Sequence, residues 1–409
     1  MTPGMAGEGR GRRRAVVMSP WPWMYSMEGG GGTPIEADIL FALIEGGFEV
    51  DLIVPPSDRS SGFDAVTGLQ VHRTGPLRTP RLGYAGRVAL WLEQITRFAL
   101  RGMLVSRRGR RPDLFYGMSA LTIPSAWFCG RFSSRPAIGL LFGTFLFPRL
   151  ESTSKMLRSS FEEVVAFKTP LDRLVVLDDG TRGDRVAAWL GVPPTRLRYW
   201  MHGVDRSECQ AACANPSSVR AELGLPTHGP LAVSASRLAD WKRVDRIIQA
   251  WPALLALVPD ATLAVSGTGP EHERLHQLAR ELDVGSSVVF LGPLPRDENL
   301  RLIAASDVFC SFYDYSNVGI ALLEALVCGV AVVVVDSGAT AELIENHVSG
   351  LVIPPDDKSR AAEALAAVMC DRGLRERLQT GARRLAETRI MSVDDRKRME
   401  LELIDELVG

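Results

Sequence analysis

SNVGIALLEALVCGVAVVVVD, residues 316–336, holds the two features on which the fold is read. A helical run opens after Gly319, ends at Cys328-Gly329, and is followed by a strand, Ala331 to Val335, that is apolar at every position. A strand without a polar face needs cover on both sides, which is the arrangement of a parallel sheet layered with helices. Outward from this stretch the same alternation recurs. LAVSASR, TLAVSGTG, VVFLGPL, VFCSF and LVIPP read as strands, separated by helical segments such as VDRIIQAWPALLALV. In the first half AVVMSP, FEVDLIVP, DLFYG, PAIGLLFG, RLVVLD and LRYWMHG are further strands, and IEADILFALIEGG is a helix ended by Gly46 and Gly47. Two βα series in succession imply an α/β chain of two doubly wound, Rossmann-like domains.

The length of 409 residues agrees with two domains. The expected division is a disordered basic tail over 1–14, an N-terminal domain over 15–205, a loop-rich linker over 206–229, a C-terminal domain over 230–390, and a closing helix over 391–409 that packs back on the N-terminal domain. Apolar residues make up 46% and charged residues 23%, an ordinary soluble composition, and no run approaches a membrane span. A cytoplasmic protein, at most at the inner face of a membrane, is expected. The six cysteines include no paired Cys-x-x-Cys units, so inert thiols are expected rather than a disulfide or metal framework. Net charge is −1, yet residues 1–150 carry 18 Arg against 11 acidic residues. Much of this excess falls in Tyr84 to Arg111, where Trp91, Leu92, Ile95, Phe98, Leu100 and Met103 alternate with arginines. Packing against the first sheet is the preferred reading of that segment; a peripheral contact with an anionic membrane is the alternative. Nucleic acid is not an expected partner.

In open α/β sheets ligands bind beyond the carboxyl ends of the strands. Two candidate sites follow strands of the second half. The first is Ser234-Ala235-Ser236-Arg237-Leu238 with Lys242: an Arg fork and a flexible Lys at a strand end converge on a diphosphate. Only five lysines occur in the chain, which makes the position of Lys242 informative. The second is Ser316-Asn317-Val318-Gly319-Ile320, where a helix start aims free N–H groups and its positive dipole end at an anion. Glu324, deeper in that helix between Leu323 and Ala325, suits ribose hydroxyls rather than phosphate.

These residues, with GGGGTPIEADILFALIEGGFEVDLI, MHGVD, SRLADWKRVDRII, SGTGPE and VVFLGPLPRDE, make the chain resemble, nearly end to end, a family-four retaining glycosyltransferase of the GT-B fold (glycosyl transferases group 1). The resemblance implies two Rossmann-like domains facing across a cleft. It also implies transfer of a sugar from a nucleotide-sugar to an acceptor hydroxyl, small-molecule, glycan or lipid-linked, with retention of configuration. By the same resemblance Arg237 and Lys242 hold the donor diphosphate and are the catalytic candidates, Glu324 binds the ribose, and Gly31 and Gly32 approach the diphosphate. Ser316 stands where the family has the first Glu of Glu-x7-Glu, and Gly143-Thr144 where it often has a His. A sugar-nucleotide-binding partner protein with little turnover, or an epimerase on the same fold, is therefore the alternative.

Three patterns carry less weight. His272-Glu273-Arg274-Leu275-His276 matches a zinc-protease pattern, but nothing supplies a third ligand. Gly267-Thr268-Gly269 begins a dinucleotide fingerprint whose third Gly is replaced by His272, so the loop is assigned to the donor site and no nicotinamide is expected. No Asp-x-Asp triplet occurs, and no metal or cofactor is expected; the nucleotide-sugar is a substrate. His202-Gly203-Val204-Asp205 is read as a hinge or wall segment in preference to a catalytic His.

Overall fold

A computed structural model describes residues 13–21, 34–56, 66–77, 83–150, 152–214, 216–315 and 317–409. The chain divides into two compact units. The first comprises residues 1–177, 183–200 and 396–409; the second comprises 178–182 and 201–395.

In the first unit the strands are β1 (Arg13–Met18), β2 (Phe48–Val54), β3 (Leu69–Arg73), β4 (Leu114–Met118), β5 (Ala137–Leu141), β6 (Arg173–Leu177) and β7 (Leu197–Trp200). They form one parallel sheet in the order β3-β2-β1-β4-β5-β6-β7. The helices are α1 (Pro34–Glu45), α2 (Tyr84–Ser106), α3 (Ile123–Ser133), α4 (Thr153–Lys168) and α5 (Gly183–Trp189). β4 and β5 are buried throughout, as strands covered on both faces must be. β3 escapes the apolar-run criterion because it is the edge strand, with only Leu69 fully buried. α1 ends where Gly46 and Gly47 stand, Gly47 taking φ +82°, which a residue with a side chain adopts at a cost.

In the second unit the strands are β8 (Leu231–Ala235), β9 (Thr262–Ser266), β10 (Val288–Gly292), β11 (Val308–Ser311), β12 (Ala331–Val335) and β13 (Leu351–Ile353). They too are all parallel, in the order β10-β9-β8-β11-β12-β13. The helices run α6 (Arg206–Ala212), α7 (Pro216–Glu222), α8 (Val244–Leu257), α9 (His272–Glu281), α10 (Arg296–Ala304), α11 (Ile320–Val327), α12 (Thr340–Leu343), α13 (Lys358–Cys370) and α14 (Arg372–Arg389), and α15 (Val393–Val408) begins here. One core layer of this unit gathers Trp251, Leu254 and Ile247 of α8 with Val333 and Leu365; the other gathers Leu322, Leu323 and Leu326 of α11 with Val332 and Val334. Chain growth leaves β8 in one direction for β9 and β10 and returns on the other side for β11. The switch point therefore lies between β8 and β11.

Two boundary expectations need correction. Arg13 and Arg14 are not tail but the start of β1. Arg14 is buried, with Nε 2.7 Å from Asp51 Oδ2 and further bonds to the carbonyls of Val105 and Arg108 at 3.1 and 2.6 Å. Burial alone would raise the Asp51 pKa, but the bonds from His72 and Arg14 outweigh it and hold it below its ordinary value. Most of residues 206–222 is helical rather than loop: Asp205 caps α6, its carboxylate accepting from the amides of Ser207 and Glu208 at 2.9 and 3.0 Å. The turn-like composition of SECQAACANPSS conceals this capping. The last fourteen residues, Arg396 to Gly409, cluster with the first unit. There Leu403 and Ile404 join its core, and the Tyr116 hydroxyl donates to Glu400 at 2.6 Å, which in turn accepts from Arg396 at 2.6 Å.

Candidate functional site

The loop after β8 and the loop after β11 flank the switch point of the second sheet, and they carry the residues singled out from sequence. β8 ends at Ala235; Ser236 to Ala239 turn the chain into a 3-10 turn, Asp240–Lys242, and α8 starts after Arg243. Arg237 is exposed, and its guanidinium has no protein partner among the described residues. Lys242 lies with Nζ 4.1 Å from the ring centre of Tyr313, a residue of the loop after β11, so the two loops meet through this cation–π contact. Burial pushes the Lys242 ammonium down to about 8, partly opposed by the Asp179 carboxylate. Tyr313 is buried, its hydroxyl donating to the Ala235 carbonyl at 3.2 Å, and burial pushes its pKa up to about 12.

Behind this pair a charge cluster fixes the loops. Asp314 accepts from Arg243 and Arg246 at 3.2 and 2.7 Å, and its amide donates to the Trp241 carbonyl at 2.9 Å. Arg246 also engages Asp356 at 2.7 Å and the Phe312 carbonyl at 2.9 Å. None of these residues was singled out from sequence. The only signal was a second and third basic residue in WKRVDR, and that pattern is indistinguishable from a solvated helix start.

Glycines hold the β9 loop flush against the Arg237 loop. Gly267 has φ +126°, and a methyl there would overlap the Ser236 carbonyl; one at Gly269 would overlap the Leu238 carbonyl. The amide of Leu238 donates to the Thr268 carbonyl at 2.9 Å, and that of Glu271 to the Leu238 carbonyl at 3.0 Å. Gly267, expected as a donor contact, is thus placed as the buttress of the Arg237 loop.

At the second loop the predicted residues divide. Ser316, Gly31 and Gly32 lie outside the described residues. Asn317 is buried; its Nδ2 donates to the Ser337 carbonyl at 2.8 Å, while its buried Oδ1 has no partner among the described residues. The Val318 amide donates to the Asp179 carbonyl at 2.8 Å, which removes it from any anion cradle. Segment 178–182 is therefore part of this site: Gly180, at φ +91°, packs against the amides of Asn317 and Val318. Gly319 is the N-cap of α11, with φ −82° and ψ 165°. The amides of Gly319, Ile320 and Ala321 have no partner within the helix, as the first amides of a helix do not.

Glu324 is buried one turn in, where Arg296 reaches its Oε1 at 2.7 Å while donating to Glu208 at 2.9 Å. Burial raises the Glu324 pKa and Arg296 offsets this. Arg296, the first residue of α10, was missed because RDE reads as an ordinary polar helix start. Of the set-aside motifs, His276 stacks on Phe290 at 3.9 Å and His272 lies 4.5 Å from His276, so the two imidazoles form an aromatic cluster. Val204 pairs with Ser392 and exchanges amide bonds with Met391 and Val393, which joins MHGVD to the segment that opens α15.

Residues 217–385, which contain Arg237, Lys242, Arg296 and Glu324, match the family described as glycosyl transferases group 1. The chain is 30% identical over 243 residues to the GDP-mannose-dependent alpha-(1-6)-phosphatidylinositol monomannoside mannosyltransferase of Mycobacterium tuberculosis, a match covering 55% of this chain and 63% of that protein. It is 33% identical over 240 residues to the D-inositol 3-phosphate glycosyltransferase of Salinispora arenicola, covering 55% of this chain and 52% of that protein. The match thus spans less than two thirds of the length of these relatives. Sucrose-phosphate synthase from Thermosynechococcus elongatus superposes with a TM-score of 0.76 at 18% identity, covering 97% of this chain and 99% of that chain, a likeness of fold.

Proposed function

We propose that the chain transfers a sugar from a nucleotide-sugar to an acceptor hydroxyl, retaining anomeric configuration and needing no metal ion; the match of residues 217–385 to the glycosyl transferases group 1 and the likeness of fold support this reading. What supports this reading is that Arg237 and Lys242 follow β8 and α11 follows β11, the two strands that flank the switch point, with Lys242 against Tyr313 of the loop that leads to α11. Departure of a nucleoside diphosphate leaves an oxocarbenium-like sugar, and fixed positive groups aimed at the leaving phosphates lower that barrier. Arg237, unpaired among the described residues, grips one phosphate; Lys242 and the amides of Gly319, Ile320 and Ala321 meet the other. Glu324, oriented by Arg296, accepts from ribose hydroxyls through its remaining lone pairs. Metal independence rests on this cationic cradle. The named activities of the relatives put GDP-mannose first among donors and inositol-containing acceptors first among acceptors.

A donor panel in excess EDTA tests the reading. Nucleotide release from at least one donor, undiminished by the chelator and dependent on acceptor, is the expected result. Donor bound without release, or converted to its epimer, would replace the transferase by one of its rivals. Loss of release restored by Mg²⁺ would remove metal independence alone.

For the acceptor side, we infer a peripheral contact between the first unit and an anionic membrane. α2 does pack on its sheet through Phe98, Ala99, Gly102 and Val105, yet Leu100 and Leu104 stay exposed. Phe128 and Phe132 of the neighbouring α3 are exposed as well, their rings 4.3 Å apart, and Arg107, Arg108, Arg131 and Arg135, at or just past the ends of α2 and α3, are also exposed. Apolar tips amid arginines suit the boundary of an anionic bilayer. No helix among the described residues is long and apolar enough to cross it. Phe132→Ser is expected to weaken sedimentation with phosphatidylglycerol vesicles about thirtyfold, since burying one Phe stabilises by ~2 kcal/mol. Equal sedimentation of both proteins, or no preference over phosphatidylcholine vesicles, would remove this surface from the membrane.

A further inference from the structure

Cysteines that the sequence scatters meet at the seam of α6 and α11. Cys209 lies in α6, Cys213 is its C-cap residue, and Cys328 is the C-cap of α11. Cys213 Sγ is 3.7 Å from the Cys328 carbonyl oxygen, and Cys328 Sγ is 3.9 Å from the Cys209 carbonyl oxygen. Each thiol thus reaches the backbone of the facing helix end, and Cys213 is exposed.

We propose that Cys213 and Cys328 form a hydroperoxide-reactive thiol pair that closes to a disulfide, with Cys213 as the nucleophile and Cys328 as the resolving thiol. The neighbouring Cys328 side chain first, with the Arg383 charge in support and against some opposing burial, brings the Cys213 thiol down to about 7. This lowering favours the thiolate, the form that reacts. Arg383 lies directly against Gly329, the residue after Cys328, so the charge is built into this seam. By contrast, burial pushes Cys129 up to about 12, and Cys310 is also buried and raised.

The Cys213 thiolate attacks one peroxide oxygen; the O–O bond breaks and hydroxide leaves, taking up a proton as water. Cys213 is left as a sulfenic acid. The Cys328 sulfur then attacks the Cys213 sulfur, the S–OH bond breaks, and hydroxide departs with the Cys328 proton as a second water. Peroxide gains two electrons and the two thiols lose them. The bond formed would tie the helix bearing Glu208 to the helix bearing Glu324, the two carboxylates that share Arg296.

The test uses the full chain. Cys370, also exposed, is the internal comparison. At pH 7 iodoacetamide should modify Cys213 about tenfold faster than Cys370. One equivalent of hydrogen peroxide should then yield a Cys213–Cys328 peptide linkage, reversed by dithiothreitol. Cys328→Ser should stop at a dimedone-trappable sulfenic acid on Cys213, and Cys213→Ser should leave Cys328 unoxidised. Equal alkylation of Cys213 and Cys370, or peroxide consumed without a Cys213–Cys328 linkage in a protein of unchanged circular dichroism, would overturn the proposal.

Discussion

Arg237→Ala and Lys242→Ala are each expected to lower kcat/KM for the donor by about 30- to 1000-fold at pH 7, the loss of ~2–4 kcal/mol that follows removal of one charge-assisted partner of a sequestered phosphate. The two differ in kind. Arg237 is exposed and has no partner to release among the described residues, so its loss should leave the melting temperature unchanged. Lys242 is packed over Tyr313 with a proton affinity brought down to about 8 by burial, and this gives it a pH signature. A bound diphosphate favours the ammonium, so donor affinity should fall as pH rises through about 8, the range in which the free protein discharges Lys242. The stability sign is the opposite. Below about pH 8 both folded and unfolded chains carry the charge, and its burial costs stability; as pH climbs toward ~10.4 only the unfolded chain holds the proton, and the cost fades. Donor kinetics at pH 7 and pH 9 check this. A wild-type profile flat between them, or wild-type kinetics in Arg237→Ala, would sink the diphosphate assignment.

Gly267→Ala should be nearly as damaging, through geometry instead of charge. The added methyl overlaps the Ser236 carbonyl at a backbone angle of φ +126°, and the obstacle is main chain, which has no side-chain rotamer to yield. Either the β9 loop or the Arg237 loop must shift. A cost of ~2–4 kcal/mol is expected, roughly 5–10 °C in the melting of the second unit, together with a loss of donor turnover of about 100-fold. Gly285→Ala, at a position where a methyl meets nothing, is the matched control and should change neither. Calorimetry and donor kinetics on the two variants decide it. Unchanged melting and turnover in Gly267→Ala would mean that the two loops are not held together as their hydrogen bonds imply.

The skeleton of the candidate site was legible in the sequence because its signals are local. An apolar strand run, as in LAVSASR at residues 231–237 or VFCSF at residues 308–312, followed by a helix start, places Arg237 and the α11 N-terminus at strand ends whatever the tertiary detail. Side-chain period and strand direction are set by neighbouring residues. The cationic character of the site and the position of Glu324 in its helix follow in the same way.

What the tertiary structure alone decided concerns partners far apart in the chain. Sequence offered the Val318 amide to an anion, but Asp179, more than a hundred residues away, takes it. Nor did it show that the carbonyl of Ser236 on the neighbouring strand's loop lies against Gly267 and leaves no room for a side chain there. Arg296 looked like an ordinary helix-start charge and Glu208 like part of a linker until α6, α10 and α11 converged on Glu324. The edge strand β3 and the capped helix α6 escaped notice because an edge buries too little to show a pattern and a cap is a single side chain's hydrogen bonding. Hydrogen-bond partners, close backbone approaches and shared charges are properties of distances in space. Residue order constrains these distances only after the strands have paired.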